Sequence, residues 1–187
     1  SSTAGSWISL HPAGASASFA TAIHDGHQAG GATVGGATHA SRWSGTAASW
    51  VDLHPNGATN SVAAATSGNN QVGYAEVSGT LRASLWSGTA ESWVDLNPAG
   101  ASRSEATAID GDSQVGFATI EGMDHAGLWN GTSASWIDLN PAGSVLSRAL
   151  GGADGVQGGW AVVSGRVRAS LWTGTATSWV NLEPEPG

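Results

Sequence analysis

The stretch Trp43-Ser-Gly-Thr-Ala-Ala-Ser-Trp50-Val-Asp-Leu-His-Pro55 decides the fold, because the chain repeats it three times, starting at Trp86, Trp129 and Trp172. Each copy stands 43 residues after the one before, without insertion or deletion, and Trp7 lies one further period upstream of Trp50. A fixed period in the forties marks a repeat array, in which one small unit cannot bury its apolar face until a neighbour stacks on it. Four periods use 172 of the 187 residues, and the other 15 echo the opening Ser-Trp-Ile-Ser-Leu as Ser-Trp-Val-Asn-Leu. The chain therefore reads as one repeat domain, 1–187, with units 1–43, 44–86, 87–129 and 130–172 and a partial unit 173–187.

Inside a unit the signals are those of short strands. Gln28-Ala-Gly-Gly-Ala returns in phase as Gln71-Val-Gly-Tyr-Ala, Gln114-Val-Gly-Phe-Ala and Gln157-Gly-Gly-Trp-Ala. Glycine turns follow each of them. The first unit divides into strands at 17–23 and 28–34, a third carrying His39-Ala-Ser-Arg-Trp43 and a fourth carrying Ser49-Trp-Val-Asp-Leu53. Ser44-Gly-Thr and its equivalents predict a tight hairpin between the third and fourth strands. His54-Pro55, Asn97-Pro98 and Asn140-Pro141 end the fourth strands, since proline removes a ladder donor. No stretch keeps apolar positions at helical spacing. The expected fold is all-β, a small four-bladed β-propeller with a surplus terminal strand, and the alternative is a β-solenoid.

Ala20-Thr-Ala-Ile23 with Gln28, Thr38-His39-Ala40-Ser-Arg-Trp43 and His125-Ala126-Gly-Leu-Trp129 resemble the HAF-type extracellular repeat of bacteria. The family's Phe is replaced here by Ser or Gly, and Arg82-Ala83 and Arg168-Ala169 stand where it has His-Ala. The resemblance implies a secreted or cell-surface protein with propeller-like blades and no established activity.

Composition narrows the function. Six arginines, fourteen acids and no lysine leave a net charge of −8, which repels nucleic-acid backbones and anionic lipid. No apolar run is long enough to cross a bilayer, so membrane insertion is not expected. There is no cysteine, hence no disulfide framework or thiol nucleophile. No nucleotide-binding loop or nucleophile elbow is present, and the recurring Asp52, Asp95 and Asp138 belong to different units, where they fit turn capping better than paired acid/base work. Asp110-Gly-Asp112 lacks the full spacing of a calcium loop, and His24 and His27 lack a third ligand. No catalytic residue, cofactor or metal is expected.

Three residue sets remain as candidates. His39, Arg82, His125 and Arg168 occupy one phase and would form a ring of donors if blades closed around an axis. Gly31, Tyr74, Phe117 and Trp160 form a graded position, and its aromatic members are candidates for stacking against a sugar ring. The fourth strand occurs five times, so Trp7, Ile8 and Leu10 or Trp179, Val180 and Leu182 form a surplus copy available to pair with another molecule. The reading is a non-catalytic structural or adhesive protein, self-assembling into fibres by terminal strand exchange. The alternative is a carbohydrate-binding propeller with one shallow site per blade.

Overall fold

The computed structural model describes residues 7–183. Its strands form four antiparallel four-stranded sheets, each in simple sequence order. The first holds β1 (Ala17–His24), β2 (His27–Val34), β3 (Ala37–Trp43) and β4 (Val51–Asp52). The second holds β5 (Ala58–Ser67), β6 (Asn70–Val77), β7 (Thr80–Trp86) and β8 (Val94–Asp95). In the third are β9 (Arg103–Asp110), β10 (Ser113–Ile120), β11 (Met123–Trp129) and β12 (Ile137–Asp138); in the fourth are β13 (Ser144–Ala153), β14 (Val156–Val163), β15 (Arg166–Trp172) and β16 (Val180–Asn181). Among the described residues each sheet ends in two unpaired edge strands, so the strands do not close into a barrel. Because a sheet contains a complete set of four strands, its boundaries fall at the proline turns, not at the tryptophans from which the units were counted.

Turn chemistry sets the hairpins. Between β6 and β7 both central residues, Ser78 and Gly79, have positive φ, 54° and 75°, the geometry whose twist matches that of the flanking strands. The predicted tight hairpin between third and fourth strands is not what forms. A 3-10 turn, Ala47–Ser49, intervenes, and the fourth strand shrinks to two residues. The cause is Ser49: its Oγ accepts from the Ser44 N–H at 2.7 Å and donates to the Thr46 carbonyl at 2.7 Å, drawing the chain into a local turn. The other three units do the same with Ser92, Ser135 and Ser178.

The core lies in the seams between consecutive sheets. At the first seam Ala29, Ala40 and Leu53 of one sheet meet Ala63, Ala75 and Trp86 of the next. Val72, Ala83 and Leu96 meet Ala106 and Trp129 at the second, and Val115, Ala126 and Leu139 meet Ala149, Ala161 and Trp172 at the third. Alternation along the strand assigns the faces: in β6, Val72 looks to the following sheet while Gln71 and Ala75 look to the preceding one. β5 runs across the preceding sheet, with Asn60 accepting from the Thr38 N–H of β3 and the Ala63 carbonyl accepting from Thr21 of β1. No apolar cluster of the described residues joins the fourth sheet to the first.

Candidate functional site

Every seam is fastened by one buried serine. Ser61 Oγ of β5 accepts from the Ala40 N–H at 2.8 Å and pairs with His54 Nδ1 at 2.8 Å, while His54 Nε2 donates to the Ala58 carbonyl at 3.0 Å. Ser104 and Ser147 repeat the arrangement, accepting from Ala83 and Ala126 and donating to Asn97 and Asn140. These serines recur at the repeat period, a signal the motif reading passed over because a lone strand serine has no distinctive chemistry. His54 differs from the asparagines in being titratable. Burial, then the charge of His39 stacked on it at 4.0 Å, hold its pKa below the ordinary value of 6.5.

A pH dependence follows, with a definite sign. The unfolded chain takes up the proton first, so stability falls as pH drops through the unfolded value and levels off below the folded one. His54→Asn supplies the hydrogen bonds that Asn97 already makes and removes the titration. Urea denaturation at about pH 7 and pH 5 is expected to show a smaller acid loss in the variant and near-equal stability at the higher pH.

The four residues of the third-strand phase each engage an acid in, or just after, the fourth strand of their own sheet. His39 Nδ1 pairs with Asp52 and His125 Nδ1 with Asp138, both at 2.7 Å, and Arg82 pairs with Asp95 at 2.6 Å. Arg168 pairs with Glu183. The second oxygen of each aspartate accepts the backbone N–H two residues on, at His54, Asn97 and Asn140. In the fourth unit the two tasks are split, with Asn181 accepting from the Glu183 N–H.

The graded position is filled differently in each sheet. Gly31 is covered by the Phe19 ring, which a Cβ there would meet at 2.7 Å. Tyr74 and Trp160 are half-buried. Phe117 is buried beneath two guanidinium groups, with Arg148 4.0 Å and Arg103 5.3 Å from its ring centroid. Both arginines bind Asp124, as does Thr119 at 2.6 Å. Burial raises the Asp124 pKa, but the hydrogen bonds from Thr119 and Arg148 and the two positive charges outweigh it and hold the carboxyl below its usual range. Glu105, the neighbour in sequence phase to Arg148, shares this electrostatic field without taking the ion pair; burial pushes its pKa up against the pull of both arginines. Asp124 thus belongs to the seam between the third and fourth sheets. Among the described residues no three His, Cys, Asp or Glu side chains gather in a metal-holding group.

The two outer faces differ from the inner seams. Ala63, Ala106 and Ala149 are fully buried, whereas their first-sheet equivalent Ala20 is exposed. Ala40, Ala83 and Ala126 are fully buried, whereas Ala169 is exposed, as are Val167 two residues before it on β15, at 61%, and Leu150 on β13, at 51%. Ser18 pairs with His11 as Ser61 does with His54, without a preceding sheet's N–H to accept. Trp7, Ile8 and Leu10 form no strand, and together with Ser18 and Trp43 they line a hollow of about 310 Å³. Trp179 follows a 3-10 turn as Trp50 does, Val180 pairs with Leu171 of β15, and the Leu182 N–H donates to the Ala169 carbonyl at 2.8 Å.

A second repeated feature occurs once in each sheet, beside the tryptophan that precedes its fourth strand. The turn after the fourth strand and the 3-10 turn of the following unit enclose a shallow groove next to Trp50, Trp93, Trp136 or Trp179, with volumes of about 570, 460, 310 and 410 Å³. The chain matches no protein-family model, and no curated protein is significantly similar to it.

Proposed function

We propose that this chain is a non-catalytic structural or adhesive repeat module of the cell exterior that assembles end to end with copies of itself. One observation carries the reading: the outer faces of the first and fourth sheets, exposed at Ala20 and Ile23 on one and at Ala169, Val167 and Leu150 on the other, correspond to the two halves of a joint that the chain makes three times internally. Across a joint between copies, the Ala169 N–H would meet Ser18 Oγ as the Ala40 N–H meets Ser61 Oγ. Val167 and Leu150 would leave solvent together with Ala20 and Ile23 of the next copy, and removing exposed apolar area from water supplies the driving force. Such a joint is head-to-tail, so it generates a ring if the rotation closes and a filament if it does not.

The succession of first strands, β1 to β5 to β9 to β13, each in contact with the next, supports propeller-like blades arranged in an arc. A β-solenoid is the alternative arrangement. The surplus strand finds its place in the joint, because residues 179–182 of one copy and residues 7–10 of the next claim the same position along the first copy's β15. One of them yields, which is strand exchange in the sense of β-augmentation. The likeness to HAF-type repeats supports an extracellular setting, and the net charge of −8 argues against anionic polymers as partners.

Sedimentation velocity over a concentration series, with electron microscopy of the same samples, tests the proposal. Rings or filaments that grow with concentration are expected, and Val167→Glu is expected to return compact monomers because it places an unpaired charge in the joint. A native chain that stays a compact monomer at every concentration would sink it.

A further inference from the structure

The four grooves share their walls and floor. One wall is a turn in which a glycine with φ near +80° follows Pro-Ala or Pro-Asn, closed by a hydrogen bond such as the Ala58 N–H to the Pro55 carbonyl at 3.1 Å. The facing wall is the 3-10 turn, tied by its serine as described above. The floor is an indole fixed from below: Trp93 Nε1 donates to Ser84 Oγ at 2.9 Å, and the ring packs against the first-seam core. Trp50 and Trp179 are anchored in the same way on Ser41 and Ser170. Trp136, facing Gly127, tilts onto Trp129 instead, 4.6 Å between centroids. Each half-buried indole therefore has one side held by the protein and one side toward the groove, in a frame set before any ligand arrives.

Only one of the four grooves carries a polar side chain at both facing positions of its mouth. The first pairs Ala13 with Ala48, the third Ala99 with Ala134, and the fourth Ala142 with Thr177. In the groove of about 460 Å³ in the second sheet, the same two positions are Asn56 and Glu91. Both side chains are exposed, and among the described residues no hydrogen bond engages either. In an array this regular, two coincident departures on facing walls of one groove are the kind of difference by which a binding unit is set apart from its structural siblings.

We propose that this groove is a binding site for a neutral pyranose sugar, presented as part of an oligosaccharide. The apolar C–H face of the ring lies on the Trp93 indole, alongside the Pro55 ring. Ring hydroxyls donate to a Glu91 carboxylate oxygen, and the Asn56 amide donates to one hydroxyl while accepting from another. His54 takes no part, because both its ring nitrogens are committed to Ser61 and Ala58. An ammonium ligand is disfavoured, since one indole does not form an aromatic cage. Anionic sugars are disfavoured by Glu91 and by the charge of the whole chain. The groove is formed within the second sheet, so occupancy does not depend on end-to-end assembly.

Titration calorimetry of the Val167→Glu chain with cellohexaose, laminarihexaose, mannohexaose and chitohexaose tests the site apart from assembly. At least one of these is expected to bind at a single site per chain. Asn56→Ala with Glu91→Ala is expected to weaken that binding at least about tenfold without moving the thermal midpoint, because both side chains are exposed and unbonded. Ala99→Asn with Ala134→Glu, which copies the pair into the third groove, is expected to raise the number of sites to two. Failure of all four sugars to bind, binding indifferent to the double substitution, or displacement of the sugar by tetramethylammonium would each overturn the proposal.

Discussion

Gly73→Ala is expected to lower the stability of the chain by about 3 kcal/mol or more, a large effect for one methyl group. Gly73 stands in β6 opposite Ala63, and a Cβ there would lie 1.9 Å from the Val62 carbonyl oxygen and 2.9 Å from the Ala64 N. Both atoms are backbone, so no rotamer change relieves the overlap; β5 must move off β6. The local reason is a β-bulge, where the register shifts between Ala63 and Ala65 and presses the bulged strand toward its partner. β5 also crosses the face of the first sheet, so its displacement loosens the Ser61 clip and the Trp86 cluster together. Gly30, Gly116 and Gly159 meet the same obstacle at 2.0 Å. Gly151→Ala is the control, since nothing lies within 4 Å of its added Cβ and its φ is not left-handed. Thermal unfolding followed by circular dichroism should show Gly73→Ala about 10 °C below the parent and Gly151→Ala unchanged or slightly higher. Equal midpoints for the two variants would refute the close-approach account.

How much of this was legible in the sequence depends on whether a feature is local. The period, the strands and the proline handovers announce themselves because turn residues and apolar alternation act over a few positions. Ser49 escaped notice as the residue that shortens the fourth strand, since its effect runs through two hydrogen bonds five and three residues back. The two tryptophan series look interchangeable in the sequence, yet Trp43, Trp86, Trp129 and Trp172 are fully buried while Trp50, Trp93, Trp136 and Trp179 border the grooves. One available signal was the serine nine residues before Trp50, Trp93 and Trp179, which accepts their indole N–H. Asn56 and Glu91 were harder to see. They are 35 positions apart in the chain, and it is the folding of the second sheet, which brings the turn before β5 next to the 3-10 turn before β8, that sets them on the walls of one groove. Arg148 likewise resembles a partner for Glu105 by phase, but the fold carries it over Phe117 to Asp124.

Trp86→Ala is expected to cost about 3–5 kcal/mol, because the fully buried indole sits among residues too small to refill its volume. Its neighbours in the seam include Ala29, Ala40, Ala63 and Ala75, whose side chains have no rotamers with which to collapse into a cavity. Trp86→Phe tests a separate point. The Trp86 Nε1–H is buried without a hydrogen-bond partner among the described residues, so replacement by phenylalanine removes an unmet donor, and this offsets part of the lost packing. The phenylalanine variant should therefore lie much closer to the parent than volume alone implies. Trp43→Ala supplies the contrast in position. Trp43 is equally buried, but it belongs to none of the three inter-sheet clusters and borders residues 7–11, a segment without strand pairing that can close over the space. A smaller loss is expected there. Because an array of this kind is held by nearest-neighbour terms, loss at Trp86 also uncouples the first sheet from the other three. Limited proteolysis of Trp86→Ala should then cut first near the turn after Leu53 and leave a resistant fragment carrying the second to fourth sheets. A single cooperative transition with no such fragment would mean that the seams do not act as separable joints.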